Sequence, residues 1–249
     1  MDSVNVTATT FAIICAGAAL GFLAKNALRE HHLSSGTQDT VKLATGVIAT
    51  LTALVLGLLI ASAKQSLDAR VSQVRTFVIH VTLLDRSMRL YEPPLSDDRQ
   101  ALAMFAKAMG SRLWGPDTAP AADVLSQLDQ VRNKFRRLDP QTPHDKALKD
   151  RYLALSDVLI LAGNELLESD AAGIPVPIIG IVDGWLGIIF LGFGLFAPFN
   201  RVSVLAMIVG AGAVALALFL IIEMNSPFQG FITIPQQIMD DAVAQISKA

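Results

Sequence analysis

The chain has 249 residues, of which 52% are hydrophobic and 17% charged, and its net charge is −2. A soluble domain carries about 25% charged residues, so this composition, with a mean hydropathy of +0.48, argues against a water-soluble enzyme and against disorder. The near-neutral balance offers no basic surface for nucleic acid, and the single cysteine, Cys15, excludes an internal disulfide framework and a multi-cysteine zinc site.

The first uncharged run covers 3–24, between Asp2 and Lys25. No Lys or Arg precedes it, which a secretory signal would need. Cys15 follows Ile14, where a lipoprotein cleavage site needs a small residue, so the run is read as a retained span. A second run, 43–63, lies between Lys42 and Lys64. A helix of about 20 residues is roughly 30 Å long and matches the hydrocarbon thickness of a bilayer.

Charge density then rises: 30 of the 107 residues in 64–170 are charged, so this segment faces water. Leu67, Val71, Val74, Val78, Val81 and Met88 form a heptad seam, with Asp85 at the skipped position. Nothing breaks the pattern before Pro93, which predicts one helix running from the second span to about Tyr91. Three shorter helices are expected next. Ser96 is read as the cap of the first, followed by Asp97 and Asp98 and the apolar face Leu102, Phe105, Met109 and Leu113. The second carries Val124, Leu128, Val131, Phe135 and Leu138; the third carries Leu148, Tyr152, Leu155, Leu159 and Leu166.

The stretch 171–200 is apolar except for Asp183, with a third span expected at 178–196. The fourth span is the uncharged run 202–222. A turn at Asn225-Ser226-Pro227 and Gly230 leads to a short amphipathic helix over 236–246, either at the membrane surface or docked on the helical segment. The expected fold is an all-α integral membrane protein, with four transmembrane helices in two hairpins and a water-facing helical bundle between them. Its segments are 1–63, 64–170, 171–222 and 223–249.

Three stretches carry a resemblance to a known family: Thr45-Gly46-Val47-Ile48-Ala49 with Leu56-Gly57-Leu58-Leu59 and Leu67-Asp68-Ala69-Arg70; Leu191-Gly192-Phe193-Gly194; and the exit turn, Asn225 to Gly230, ahead of Ile232-Thr233-Ile234-Pro235. Over about 38–245 the chain resembles the bestrophin-like family of bacterial membrane proteins, distantly similar to the bestrophin anion channels. The resemblance implies a pentameric anion channel with four membrane helices per subunit and a cytosolic helical region, placed in the bacterial inner membrane. It also singles out Asn225, Pro227, Phe228 and Gly230 in the exit turn. The chain departs from bestrophins in three places. Residues 43–63 contain no aromatic residue where a bestrophin pore is narrowed by phenylalanines, the acidic calcium clasp has no counterpart, and Asn225 stands where an acid is expected.

Asp183 is the sharpest functional candidate, because a carboxylate within a span costs about 2.5–3.5 kcal/mol on insertion scales. It reads either as an ion- or proton-handling group or as a side chain reaching the interface. Gly180 and Gly184 flank it at small-xxx-small spacing, which would let another helix approach. Gly187, Gly192, Gly194, Gly210 and Gly212 would do the same for the third and fourth spans. Thr45, Thr50, Thr52 and Ser62 give the second span a hydroxyl-bearing side, whose hydroxyls would either line an ion path or bond back to their own helix.

His31 and His32 are adjacent and cannot share a site on a helix. His80 is read as structural, His144 as lying near a helix start and Cys15 as packing. No nucleophile–base constellation, phosphate loop or HExxH is present, so neither an enzyme nor a cofactor is expected. The readings are therefore an oligomeric ion channel in the lipid bilayer, or a non-conducting scaffold or sensor that takes a protein partner on its helical domain. An intramembrane enzyme would need a second polar group facing Asp183.

Overall fold

The structure is a computed structural model describing residues 3–27, 35–90, 95–115, 121–137, 139–140, 142–169 and 175–247. Every regular element among the described residues is helical: α1 (Ser3–Ala27), α2 (Ser35–Met88), α3 (Ser96–Trp114), α4 (Ala121–Arg136), α5 (Pro143–Ser169), α6 (Val176–Phe196), α7 (Arg201–Met224) and α8 (Gln237–Ser247). Four of them, α1, α2, α6 and α7, are long and apolar enough to cross a membrane. Tyr91, Pro93, Leu138 and the His31–His32 pair lie outside the described residues.

α2 runs for 54 residues without a break, about 81 Å at 1.5 Å per residue. It begins seven residues before the expected membrane entry at Lys42. The chain forms two compact units, and α2 passes from one into the other. The first comprises 1–66 and 173–225; the second comprises 67–172 and 226–249.

In the first unit α1 packs on α6 and α7, and no comparably close pair forms between sequence neighbours. The expected two-hairpin arrangement is therefore not confirmed: the close packing joins α1 to α6 and α7. The reason is glycine. A Cβ on Gly21 would sit 2.2 Å from the Leu191 carbonyl oxygen, one on Gly17 2.5 Å from that of Gly187, and one on Gly194 2.2 Å from that of Ala18. Backbones touch there, as small residues permit in membrane helices. On α6, Gly187 and Gly194 meet α1 and Gly192 meets Thr45 of α2; on α7, Gly210 faces only the Phe190 ring and Gly212 has nothing within 4 Å. Gly180 and Gly184 also have nothing within 4 Å, so no helix of the subunit packs on them.

At the other end of this three-helix contact, Lys25 Nζ donates to the Ala197 carbonyl at the close of α6, at 2.9 Å. A cation there favours the negative end of the helix dipole. The α7 start is capped by Asn200 Oδ1, which accepts from Ser203 N at 2.8 Å.

The second unit is a water-type helical core. Val74, Phe77, Val81, Leu84 and Met88 of α2 are fully buried among Leu102, Phe105 and Met109 of α3, Leu128 and Phe135 of α4, and Tyr152, Leu159 and Leu166 of α5. The heptad seam is thus occupied by the subunit's own helices. Phe77 and Leu84 widen it beyond the a and d positions. Asp85 is buried and takes two arginines, Arg99 of α3 at 2.7 Å and Arg89 at 2.9 Å. Those arginines also donate to the Ile246 and Gln245 carbonyls at the end of α8. α8 docks on α3 with Met239, Ala242 and Ile246 buried, which settles its placement on the helical unit. Ser96 proves to be the first helical residue rather than the cap: Leu95 is the N-cap, and no side chain caps the turn.

The glycine geometry generates a sharp contrast. Gly194→Ala drives a methyl into the Ala18 carbonyl and is expected to destabilise the protein by about 1–3 kcal/mol. Gly184→Ala meets open space and should stay within about 0.5 kcal/mol. Thermal unfolding of the two variants in detergent checks this; equal shifts would contradict the close α1–α6 approach.

Candidate functional site

Two acidic side chains of the first unit meet hydroxyls of α1. Asp183 lies two turns into α6, is buried, and accepts a 2.9 Å hydrogen bond from Thr10 Oγ1 of α1. A carboxylate in an apolar span needs such a partner, because hydrocarbon offers none. Thr10 is itself fully buried. One of three threonines in the first span, beside Thr7 and Thr9, it carries no sequence signal that separates it from them. Thr7 and Thr9 bond back to the Ser3 and Asn5 carbonyls of their own helix.

A second carboxylate, Glu223 in the last turn of α7, is also buried and accepts from Ser3 Oγ at the start of α1. Val6, Ile179 and Ile222 form an apolar cluster at the same end. Both acids are therefore satisfied by hydroxyls of α1. In the sequence Glu223 only marks where the fourth apolar run stops, so its burial was not legible there.

The α2 hydroxyls do not share one side. Thr45 and Thr52 are buried, with Ala63, on the stripe of α2 turned inward. Thr45 meets α6 at Gly192, where a Cβ would stand 3.0 Å from its Oγ1. Thr50 and Ser62 are exposed. Thr50 and Thr52 donate to the Gly46 and Ile48 carbonyls at 2.9 and 2.8 Å, which occupies their protons within the helix. Asp183 is not brought to any of them. It faces α1 from the opening turns of α6, whereas Thr45 meets α6 nine residues further on.

The exit turn is a built feature. Asn225 caps α7, its Nδ2 donating to the Ile221 carbonyl at 2.8 Å. Pro227 offers its carbonyl to Ile234 N at 2.8 Å, closing a loop in which Gly230 takes φ 117°. That φ is open to glycine and strained for other residues. Phe228 is buried edge-on against Trp114, with ring centroids 5.1 Å apart. The Trp114 indole N–H donates to the Ile234 carbonyl at 2.8 Å. These contacts tie the turn to α3, a structural role.

His80 is half-buried on α2, His144 sits in the first turn of α5, and Cys15 is half-buried in α1. Among the described residues no three His, Cys, Asp or Glu side chains group as metal ligands.

Thr10→Val removes the hydroxyl donor to Asp183 and leaves a buried carboxylate short of a partner. Thermal unfolding should show a loss of about 1–3 kcal/mol. Asp183→Asn retains an acceptor for Thr10 and should cost less. The opposite ranking would show that Thr10 does not hold Asp183.

Comparison with known proteins fits this architecture. A search of curated proteins finds no match. Among solved structures, a point-mutant form of a bacterial bestrophin homologue from Klebsiella pneumoniae superposes with TM-score 0.64 at 13% identity, with 100% of each chain covered. A second point-mutant form of that homologue gives TM-score 0.66 at 14% identity, covering 99% of this chain and 97% of that one. A structure described only as a mutated membrane protein gives 0.68 at 13% identity, covering 97% and 99%. These likenesses show a shared fold. The family model for the bestrophin-like domain matches residues 12–239. The chain belongs to the bestrophin-like family of membrane proteins.

Proposed function

We propose that this chain is one subunit of an oligomeric ion channel, selective for anions, whose path runs along the membrane-spanning half of α2. The carrying observation is how little of that span the subunit covers. Only 11% of its most apolar window is buried, against 28% in α1 and α7 and 44% in α6. The uncovered surface is not uniform. Gly46, Thr50, Ala53, Gly57 and Ala61 recur at spacings of three and four, and all are exposed. Gly46 and Gly57 have nothing within 4 Å of a would-be Cβ. Bulky Leu43, Val47, Leu51, Leu54 and Leu58 occupy the adjoining face.

A stripe of small residues beside a stripe of large ones suits a helix that packs on copies of itself with one side and borders an open axis with the other. Family membership supports the same reading. The assembly is a homo-oligomer, a pentamer if it follows the bestrophins, in the inner membrane of a bacterium, where helical spans rather than barrels are the rule. Asp183 is turned onto α1, so its charge does not face the open side of α2. The span carries no acid between Lys42 and Lys64, which suits anions better than cations.

A scaffold acting through the heptad seam is disfavoured, because Val74, Val81 and Met88 are fully buried in the subunit's own core. A protein partner would have to use another face of the helical unit. No catalytic role is proposed: among the described residues, the hydrogen-bond partner of Asp183 is the Thr10 hydroxyl.

Planar-bilayer recording tests the channel. Wild type should conduct anions over cations, and Gly57→Trp should abolish the current without changing the size of the complex. Absence of current from intact oligomers across pH, calcium and voltage would overturn the channel and return attention to a scaffold.

A further inference from the structure

α7 stands off from α6, and the gap is hollow. A cavity of about 660 Å³ lies between α2, α6 and α7, walled by Phe193, Phe196 and Met207, with Lys42 and Ser203 also lining it. That volume falls within the roughly 300–1,000 Å³ typical of ligand sites. A second cavity of about 400 Å³ on the α1 side shares Phe190 and Met207 with it. Both are apolar apart from a few groups, and both lie among membrane-spanning helices.

The charge at the first cavity is one-sided. Lys42 is its only charged lining residue, and it is exposed. The Ala197 carbonyl of the same wall is already taken by Lys25, and Arg201 opens α7 next to it. Among the described residues of the first unit, the only acids are Asp39, Asp183 and Glu223. Asp183 and Glu223 are buried on hydroxyls of α1. Asp39 lies on α2 itself, within a turn of Lys42. A second copy that pushed α1, α6 or α7 into the cavity would therefore bring apolar surface but, among the described residues, no exposed acid for Lys42. An anionic lipid brings both: a chain for the phenylalanine-lined space and a charge for the mouth, where basic pockets between membrane helices hold acidic head groups.

We propose that this cavity is a binding site for an anionic phospholipid, with an acyl chain between α2, α6 and α7 and the phosphate paired with Lys42. It rests on the chain being embedded in a bilayer and stands whether or not the protein conducts.

Thermal unfolding of the full-length protein in detergent, with phosphatidylglycerol or phosphatidylcholine added, tests it. Phosphatidylglycerol near saturation should raise the Tm by about 5 °C, and phosphatidylcholine by clearly less. Lys42→Gln should erase that preference while leaving the lipid-free Tm near wild type. Ala206→Trp, which fills the cavity from α7, should remove the response to both lipids. Equal responses of wild type to the two lipids, or a phosphatidylglycerol preference that survives Lys42→Gln, would overturn the proposal. So would an Ala206→Trp variant that keeps its lipid response but loses oligomer mass, because the occupant would then be a second copy. If Ala206→Trp fails to fold, the Lys42→Gln comparison decides alone.

Discussion

The membrane unit depends on one constraint, the approach of the α1 and α6 backbones at Gly17, Gly21 and Gly194. In lipid there is little hydrophobic gain from pressing one apolar helix on another, so contact area and polar partners decide which helices pair. The glycines give α1 and α6 the largest shared surface in the unit. That surface places Thr10 opposite Asp183, and the α1–α7 contact places Ser3 opposite Glu223, so two otherwise costly carboxylates become part of the packing. Because α1 is committed to α6 and α7, α2 is left as the least covered span. The exposure that suggests assembly around α2 thus follows from where the glycines are.

α2 meets two solvents with one unbroken helix. Its first half is apolar nearly all round, as a bilayer requires. Its second half changes to an amphipathic pattern whose apolar face is buried by α3, α4 and α5. Asp85 interrupts the heptad where a hydrophobe would be expected. Its burial is tolerated because Arg99 and Arg89 satisfy it and then reach on to the last carbonyls of α8. A buried charge stripped of such partners would be strongly destabilising. Asp85 accordingly joins α2, α3 and the C-terminal helix.

Helix content and span limits were legible in the sequence because they follow from local rules. Uncharged runs bounded by charged residues located three of the spans, and the 3.6-residue period located the faces of α3, α4 and α5. The pairing of spans was not legible. Hairpins are the default for sequence neighbours, and only the three-dimensional match of Gly17 and Gly21 with Gly194 shows that α1 prefers α6. Small-xxx-small spacing at Gly180 and Gly184 marks a face on which no described helix of the subunit packs, since the motif states which helix face is thin and not what lies opposite it. The candidate polar residues divide in the same way. Asp183 was conspicuous by its cost, while Thr10 was one threonine among several and Glu223 looked like a boundary marker. Treating Thr45, Thr50, Thr52 and Ser62 as one side failed because their spacings spread them around the helix.

The uncovered span of α2 is the feature from which channel function, subunit interface and axial path are all inferred. The native mass of the detergent-solubilised complex tests it most directly, measured with bound detergent subtracted. A closed ring of copies predicts a mass several times the 26.6 kDa of one chain, five times if the bestrophin arrangement holds. A stable monomer at 26.6 kDa would leave α2 facing lipid alone and would contradict a path formed between subunits.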